Sequence, residues 1–215
     1  MLLTEFDANR QAIIRFEPLH EPLEGFPKIA VSCFSRLTFQ RMLEMFPHEL
    51  IYEISMANVA IPIYKLVIDD NELAIFNAPV GASACVGILE DIFALGADKL
   101  VLFGTCGVLD EDIKETSIII PSHALRDEGT SFHYVEASDE IAVNVGVLDH
   151  FRSYLNERQI SHKEGKVWTT DGIYRETNGK LKARKSAGAI CVDMECSAVA
   201  ALAKFRGVDI CHFFY

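Results

Sequence analysis

Apolar positions change period along the chain, and the changes divide it into strands and helices. KIAVSCF (28–34) is a short continuous apolar run, the pattern of a buried strand, and a helix is expected after it from about Arg36 to Phe46. ELIYEIS (49–55), VAIPIYKLVI (59–68) and ELAIFNA (72–78) are rich in β-branched and aromatic residues and close enough to pair as antiparallel neighbours. From Gly81 the period lengthens. Cys85, Ile88, Leu89, Ile92 and Phe93 recur at i, i+3, i+4, i+7 and i+8, one face of a helix that Gly96 ends. KLVLFG (99–104) predicts a buried strand ending at a glycine turn, TSIIIP (116–121) a strand, 144–158 a helix and 165–170 a strand. GAICVDME (188–195) is strand-like, SAVAALAKFRG (197–207) is helical with Gly207 as its stop, and VDICHFFY (208–215) is strand-like again.

Alternating strands and helices imply an α/β fold with a mixed or mainly parallel sheet and helices on both faces. Before it, the first 27 residues, with Pro18, Pro22, Gly25 and Pro27, read as an irregular arm. No repeat, low-complexity tract or linker interrupts the 215 residues, so a single domain over 1–215 is expected.

Composition narrows the class. With 50% hydrophobic and 24% charged residues, the chain has the makings of a packed core and not of a disordered tract. Its net charge of -11 argues against nucleic acid as a partner. A small anionic ligand would therefore need locally placed arginines. Six cysteines lie mostly in apolar runs without a C-x-x-C pair, which suits reduced core thiols in a cytoplasmic protein. The acidic residues Glu5 and Asp7 stand where a secretory signal would be basic, and no apolar run is long enough to span a membrane.

The triphosphate-binding, dinucleotide-binding, serine-hydrolase and zinc-protease motifs G-x-x-x-x-G-K-[ST], G-x-G-x-x-G, G-x-S-x-G and H-E-x-x-H are absent. Scattered histidines offer no metal-ligand spacing, so no metal is expected. Three other segments carry chemistry. Gly104-Thr105-Cys106-Gly107 ends a strand and exposes backbone N–H groups and a hydroxyl; it reads as a site wall or as an ordinary turn. Asp193-Met194-Glu195 places two carboxylates where a strand gives way to a helix. They read as a helix N-terminus decorated with acids, or as a ribose clamp in which a carboxylate accepts bonds from both the 2′- and 3′-hydroxyls. TTDGIYRET (169–177) follows a strand with an aromatic residue and an arginine, either as a surface loop or as a flat surface and a cation beside a ligand.

Three segments together, 78–109, 169–177 and 191–208, resemble the nucleoside phosphorylase superfamily of purine nucleoside phosphorylases, uridine phosphorylases and related nucleosidases. The resemblance implies a three-layer αβα fold with a central mixed sheet, assembled into dimers or hexamers that share active sites. It places phosphate and base against Thr105, Cys106 and Gly107, the sugar against Glu195 and Met194 with Asp193 beside them, and the base under Ile173, Tyr174 and Arg175. Ile173 falls where many members carry a stacking Phe, so stacking would come from Tyr174 or Phe132. The uracil-reading Gln and Arg of uridine phosphorylases are not evident, which tilts the base towards a purine. His20 and Arg41 are candidates for completion of a partner subunit's site.

Two departures concern phosphate. Ser32-Cys33-Phe34-Ser35-Arg36 stands where the family typically has Gly-Asp-Pro followed shortly by Arg, and leaves Ser32, Arg36 and Thr105 as the expected phosphate ligands. Leu102 stands where phosphorylases carry an arginine, and an arginine there is expected to be accommodated. The expected activity is phosphate-dependent cleavage of a ribonucleoside to base and ribose 1-phosphate, with Glu195 and Arg36 as catalytic residues and inorganic phosphate as co-substrate, without a cofactor. Hydrolysis by a nucleosidase, or nucleoside binding without catalysis, is the alternative. The chain stops near Tyr215, where the family's base-protonating Asp would follow, so a C-terminal segment with the general acid is expected beyond it.

Overall fold

The structure, a computed structural model, describes residues 2–14, 22–114 and 117–215. Its elements in chain order are β1 (Ile29–Cys33), α1 (Arg36–Met45), β2 (His48–Ser55), β3 (Ala60–Ile68), β4 (Asn71–Asn77), α2 (Ala82–Leu95), β5 (Lys99–Gly104) and β6 (Gly107–Val108). They continue with β7 (Ile118–Asp127), β8 (Glu140–Ala142), α3 (Leu148–Glu157), β9 (His162–Thr170), α4 (Asn178–Ser186), β10 (Ala189–Asp193), α5 (Cys196–Arg206) and β11 (Asp209–Phe214). Every strand joins one sheet in the order β2-β3-β4-β1-β5-β11-β7-β9-β10-β6, with β8 paired to β7. The run β2-β3-β4 is the expected antiparallel meander. β4, β1, β5 and β11 are mutually parallel, the antiparallel pair β11 and β7 reverses the direction, and β7, β9 and β10 are parallel again.

Side-chain alternation along each strand splits the core between two faces. Ala30, Leu100, Leu102 and Ile210 pack under α2 and α5 against Ile88, Leu89, Ile92 and Leu202. On the other face Cys33 and Ile75 meet Phe39 of α1, and Phe213 meets Phe151 of α3 with ring centroids 5.0 Å apart. Trp168 turns towards α4, whose Arg184 guanidinium lies 5.9 Å from its ring. Helices therefore cover both faces of a mixed sheet, the expected three-layer α/β arrangement.

Three local departures have identifiable causes. The helix expected over 144–158 starts at Leu148, because Asn144 adopts φ 56° and its side chain bridges β7 to β11. Its amide donates to Pro121 O and His212 O at 3.0 and 2.9 Å and its carbonyl accepts the His212 N–H at 2.6 Å. The strand expected to stop at 121 runs on to Asp127, absorbing Pro121 through a register shift against β9. Helix α4, which buries no side chain, was invisible to a periodicity argument. Thr177 caps it by accepting the Lys180 N–H, and Asp127 pins it to β7 through Lys180 Nζ at 3.0 Å and Arg184 at 3.3 Å.

One connection brings the two halves of the sheet together. Beyond Gly104 the chain runs through Thr105 and Cys106 into β6, which pairs antiparallel with β10, Gly107 opposite Val192. The C-terminal ends of β5 and β10 therefore meet, although the strands belong to oppositely directed halves. Glycine is required on both sides of that turn. A Cβ at Gly107 would lie 2.8 Å from Val192 Cγ1, and one at Gly104 would lie 2.7 Å from the Phe34 ring.

Candidate active site where β5 meets β10

Asp193 is the last residue of β10, and its carboxylate accepts three hydrogen bonds inside the protein. Oδ1 accepts the Thr169 hydroxyl at 2.7 Å, and Oδ2 accepts the N–H groups of Glu195 at 3.0 Å and Cys196 at 2.7 Å. Those amides begin α5, so Asp193 is a helix cap, favoured also by the helix dipole. Of the two readings of this acid in the sequence, these bonds are those of the helix N-terminus. Burial lifts its carboxyl to about 6, with the charge of Glu128 adding and the accepted hydrogen bonds opposing.

Glu195, 5% exposed, accepts the Gly81 N–H through Oε1. Gly81 bends the link between β4 and α2 at φ 102°, which aims its N–H across at α5. Burial, reinforced by the charges of Asp193 and Asp171 and offset by the Gly81 and Met194 N–H groups, raises the Glu195 carboxyl to about 7. A dehydrated carboxylate of this kind gains from any hydroxyl that replaces its lost water.

In the turn that leads into β6, Thr105 is exposed, Cys106 is half-buried in the cluster that holds Cys191 and Cys196, and Gly107 pairs with Val192 of β10. The start of α1 stands nearby, because β1 and β5 run parallel with Cys33 opposite Phe103. Ser35 caps α1 by accepting the Thr38 N–H at 3.2 Å, and Arg36 is exposed in its first turn. Tyr215 ties the two together: its N–H donates to Gly104 O at 3.0 Å and its hydroxyl meets Thr38 Oγ1 at 3.0 Å.

Under this edge the expected phosphate wall is apolar. Ser32 is buried and donates its hydroxyl to Phe76 O at 2.8 Å. Only lone pairs remain, which repel an anion, so its expected role as a phosphate ligand does not fit. Leu102 is core and not pocket lining, packed under α2 and α5, so the expectation that an arginine fits there is also corrected. Phe34 covers Gly104, and its ring centroid lies 6.3 Å from His212, the strand neighbour of Leu102. His212 is 1% exposed, and neither ring nitrogen finds a hydrogen-bond partner among the described residues. Burial depresses its pKa to about 3.

On the base side Ile173, Tyr174 and Arg175 form a single helical turn pointing outwards, Tyr174 at 95% exposure. Phe132 is stacked under Arg126, whose guanidinium lies 4.1 Å from its ring. Arg41 is exposed on α1, and His20 lies outside the described residues. Reading by motif passed over Gly81, Asp171 and Glu128; a glycine at a helix start and a polar stretch, R-D-E-G-T-S, were the signals present. Among the described residues no group of three or more His, Cys, Asp or Glu side chains gathers as a metal site, and no helix is long and apolar enough to cross a membrane. A cavity of about 1050 Å³ opens between the N-terminal arm and helices α2 and α5, and none of the residues above lines it.

A guanosine phosphorylase of Halorubrum lacusprofundi is 23% identical over 148 residues, covering 67% of this chain and 61% of that protein. The chain spans about half of the length of other curated relatives it matches, such as 46% of a purine nucleoside phosphorylase of Brevibacillus brevis that is 31% identical over 109 residues. The crystal structure of uridine phosphorylase from Vibrio fischeri ES114 superposes with a TM-score of 0.78 at 20% identity, covering 88% of this chain and 79% of that one. Residues 28–213 match the Phosphorylase superfamily as a whole, and the chain belongs to that family.

Proposed function

We propose that the chain cleaves the N-glycosidic bond of a ribonucleoside, a purine in preference to uridine, with phosphate as the nucleophile. A phosphate oxygen bonds to C1′ as the C1′–N bond breaks. The bonding pair leaves with the base, which takes up a proton, and the products are ribose 1-phosphate and free base. Positive charge develops on the sugar in between, so the interactions that count are those strengthening with that charge. The buried carboxylate of Glu195, held by Gly81 beside the Thr105 turn, is the observation that carries the reading. It accepts the sugar hydroxyls and faces the developing cation.

Phosphate would lie between Arg36, the Thr105 hydroxyl and the free N–H groups at the start of α1, whose dipole favours an anion. Met194 borders the sugar, and Cys106 and Gly107 contribute backbone to the wall. No cofactor takes part. The outward Ile173, Tyr174 and Arg175 leave the base side open within one chain, which supports a homo-oligomer, dimer or hexamer, in which a partner covers it, with Arg41 as a candidate contributor. The purine preference is supported by the guanosine phosphorylase relative.

Hydrolysis is favoured by a different observation. Phe34, Leu102 and the committed Ser32 leave the expected phosphate wall without a cation, and water needs none. Base release from inosine, guanosine and uridine, measured against phosphate concentration, decides between them. Phosphorolysis requires a rate that rises with phosphate and collapses in Arg36→Ala. A rate flat in phosphate, unaffected by that substitution, would refute it.

A further inference from the structure

Glu128 is a buried carboxylate outside the proposed sugar clamp, 5% exposed, in the turn after β7. A buried acid is costly unless it is fully hydrogen-bonded. Glu128 Oε1 accepts the Ser197 hydroxyl at 2.8 Å and Oε2 accepts the Ser131 N–H at 2.9 Å. Ser197 is in the first turn of α5, and its N–H donates to Thr169 Oγ1 at 3.1 Å. The Thr169 hydroxyl in turn donates to Asp193, the acid that holds the Glu195 N–H. One chain of hydrogen bonds thus runs from Glu128 through Ser197, Thr169 and Asp193 to the backbone of Glu195.

The far end of the chain is anchored as firmly. Arg126, 7% exposed, donates from Nε to Ser131 Oγ at 2.9 Å and from a terminal nitrogen to Glu136 O and Ser138 Oγ, both at 2.8 Å. It supplies the positive charge that a buried Glu128 needs. Next to Glu128, the Gly129 N–H donates to Asp171 Oδ2 at 2.9 Å, so the same turn also holds the start of the base-side loop. A single buried acid therefore stands where the sugar side and the base side of the site join.

We infer that Glu128 is a positioning residue for Glu195: through Ser197, Thr169 and Asp193 it fixes the first turn of α5, and through Gly129 it keeps that turn in register with the loop at Asp171. The inference rests on the sugar-clamp reading of Glu195. Its energetic logic is that of a supporting shell. A carboxylate displaced by a fraction of an ångström loses the alignment that matters in the transition state while still admitting the ground-state ligand.

The test uses the full chain and the variants Glu128→Gln, Ser197→Ala and Glu195→Gln. Hydrogen exchange followed by mass spectrometry reports on the peptide spanning 193–199, and base release from inosine, guanosine and uridine with inorganic phosphate reports on turnover. Glu128→Gln and Ser197→Ala are expected to speed exchange at 193–199 by about tenfold, leaving the rest of the sheet protected as in wild type. They are expected to lower kcat by about tenfold with KM within about twofold. A merely structural role would raise exchange throughout and leave the kcat of the folded fraction unchanged. If Glu128→Gln does not fold, Ser197→Ala, which removes one hydroxyl, carries the test. Turnover lost in Glu195→Gln but unchanged in the other two, with wild-type exchange at 193–199, would overturn the positioning role alone. Full turnover in Glu195→Gln would overturn the clamp and this inference with it. Exchange needs no substrate and decides the positioning role even where no nucleoside of the panel is turned over.

Discussion

Replacing Glu195 with Gln should make the protein more stable, and more so as pH rises. The folded state holds this carboxyl at about 7 against 4.5 for an ordinary glutamate. Between these values the folded protein binds more protons than the unfolded chain, so stability falls as pH rises, the reverse of an ion-paired acid. The difference of roughly 2.5 units is about 3 kcal/mol of ionisation cost at pH 8, and under about 1 kcal/mol at pH 5. Gln keeps the oxygen that accepts the Gly81 N–H and cannot ionise. Thermal unfolding of both proteins across pH 5 to 8 is the assay. The expected Tm advantage of the variant at pH 8 is about 6–12 °C, shrinking to a few degrees at pH 5. A Tm difference that stays constant over that range would refute the claim that a dehydrated charge is held at this position.

Other outcomes follow from neighbouring residues. His212→Leu removes two buried nitrogens that have no hydrogen-bond partner among the described residues, and it should leave stability unchanged or raise it by about 1 kcal/mol at neutral pH. Because the folded His212 titrates near 3 and an ordinary histidine at 6.5, its contribution is lost as pH falls between them, so the variant should shift the acid-unfolding midpoint downwards; an unchanged midpoint would contradict the placement. Gly107→Ala should cost about 1–3 kcal/mol by forcing a Cβ against Val192, measured by denaturant unfolding, and lower turnover further by moving Thr105. Leu102→Arg should yield no soluble folded protein, whereas an arginine accommodated there with improved phosphate use would restore the sequence-based expectation.

Elements with a strong apolar period were legible in the sequence, and those held by polar contacts were not. Gly81 and Gly96 bracket α2 to the residue, and the meander of β2, β3 and β4 follows from alternation and short spacing. Helix α4 could not be read, since its stability comes from a Thr177 cap and Asp127 and not from an apolar face. Asn144 delays the start of α3 because its side chain is used across the sheet. At the site, Asp193 and Glu195 look alike in sequence, two acids two residues apart, and only the N–H groups that Asp193 accepts at the start of α5 separate their surroundings. The partnership of Glu195 with Gly81 spans 114 residues, and a glycine at a helix start does not say which carboxylate it meets.

The two-residue pairing of β6 with β10 has a consequence for folding. Gly107 and Val192 are far apart in sequence, so their contact closes a long loop for the gain of very little ladder. A contact of this kind is expected to form late and to open early. A ligand lying across the turn would bind only the closed form, and by mass action would act as a clasp on this pairing. Such a ligand would slow unfolding more than it speeds folding, so that occupancy of the turn would set how long the chain survives partial opening.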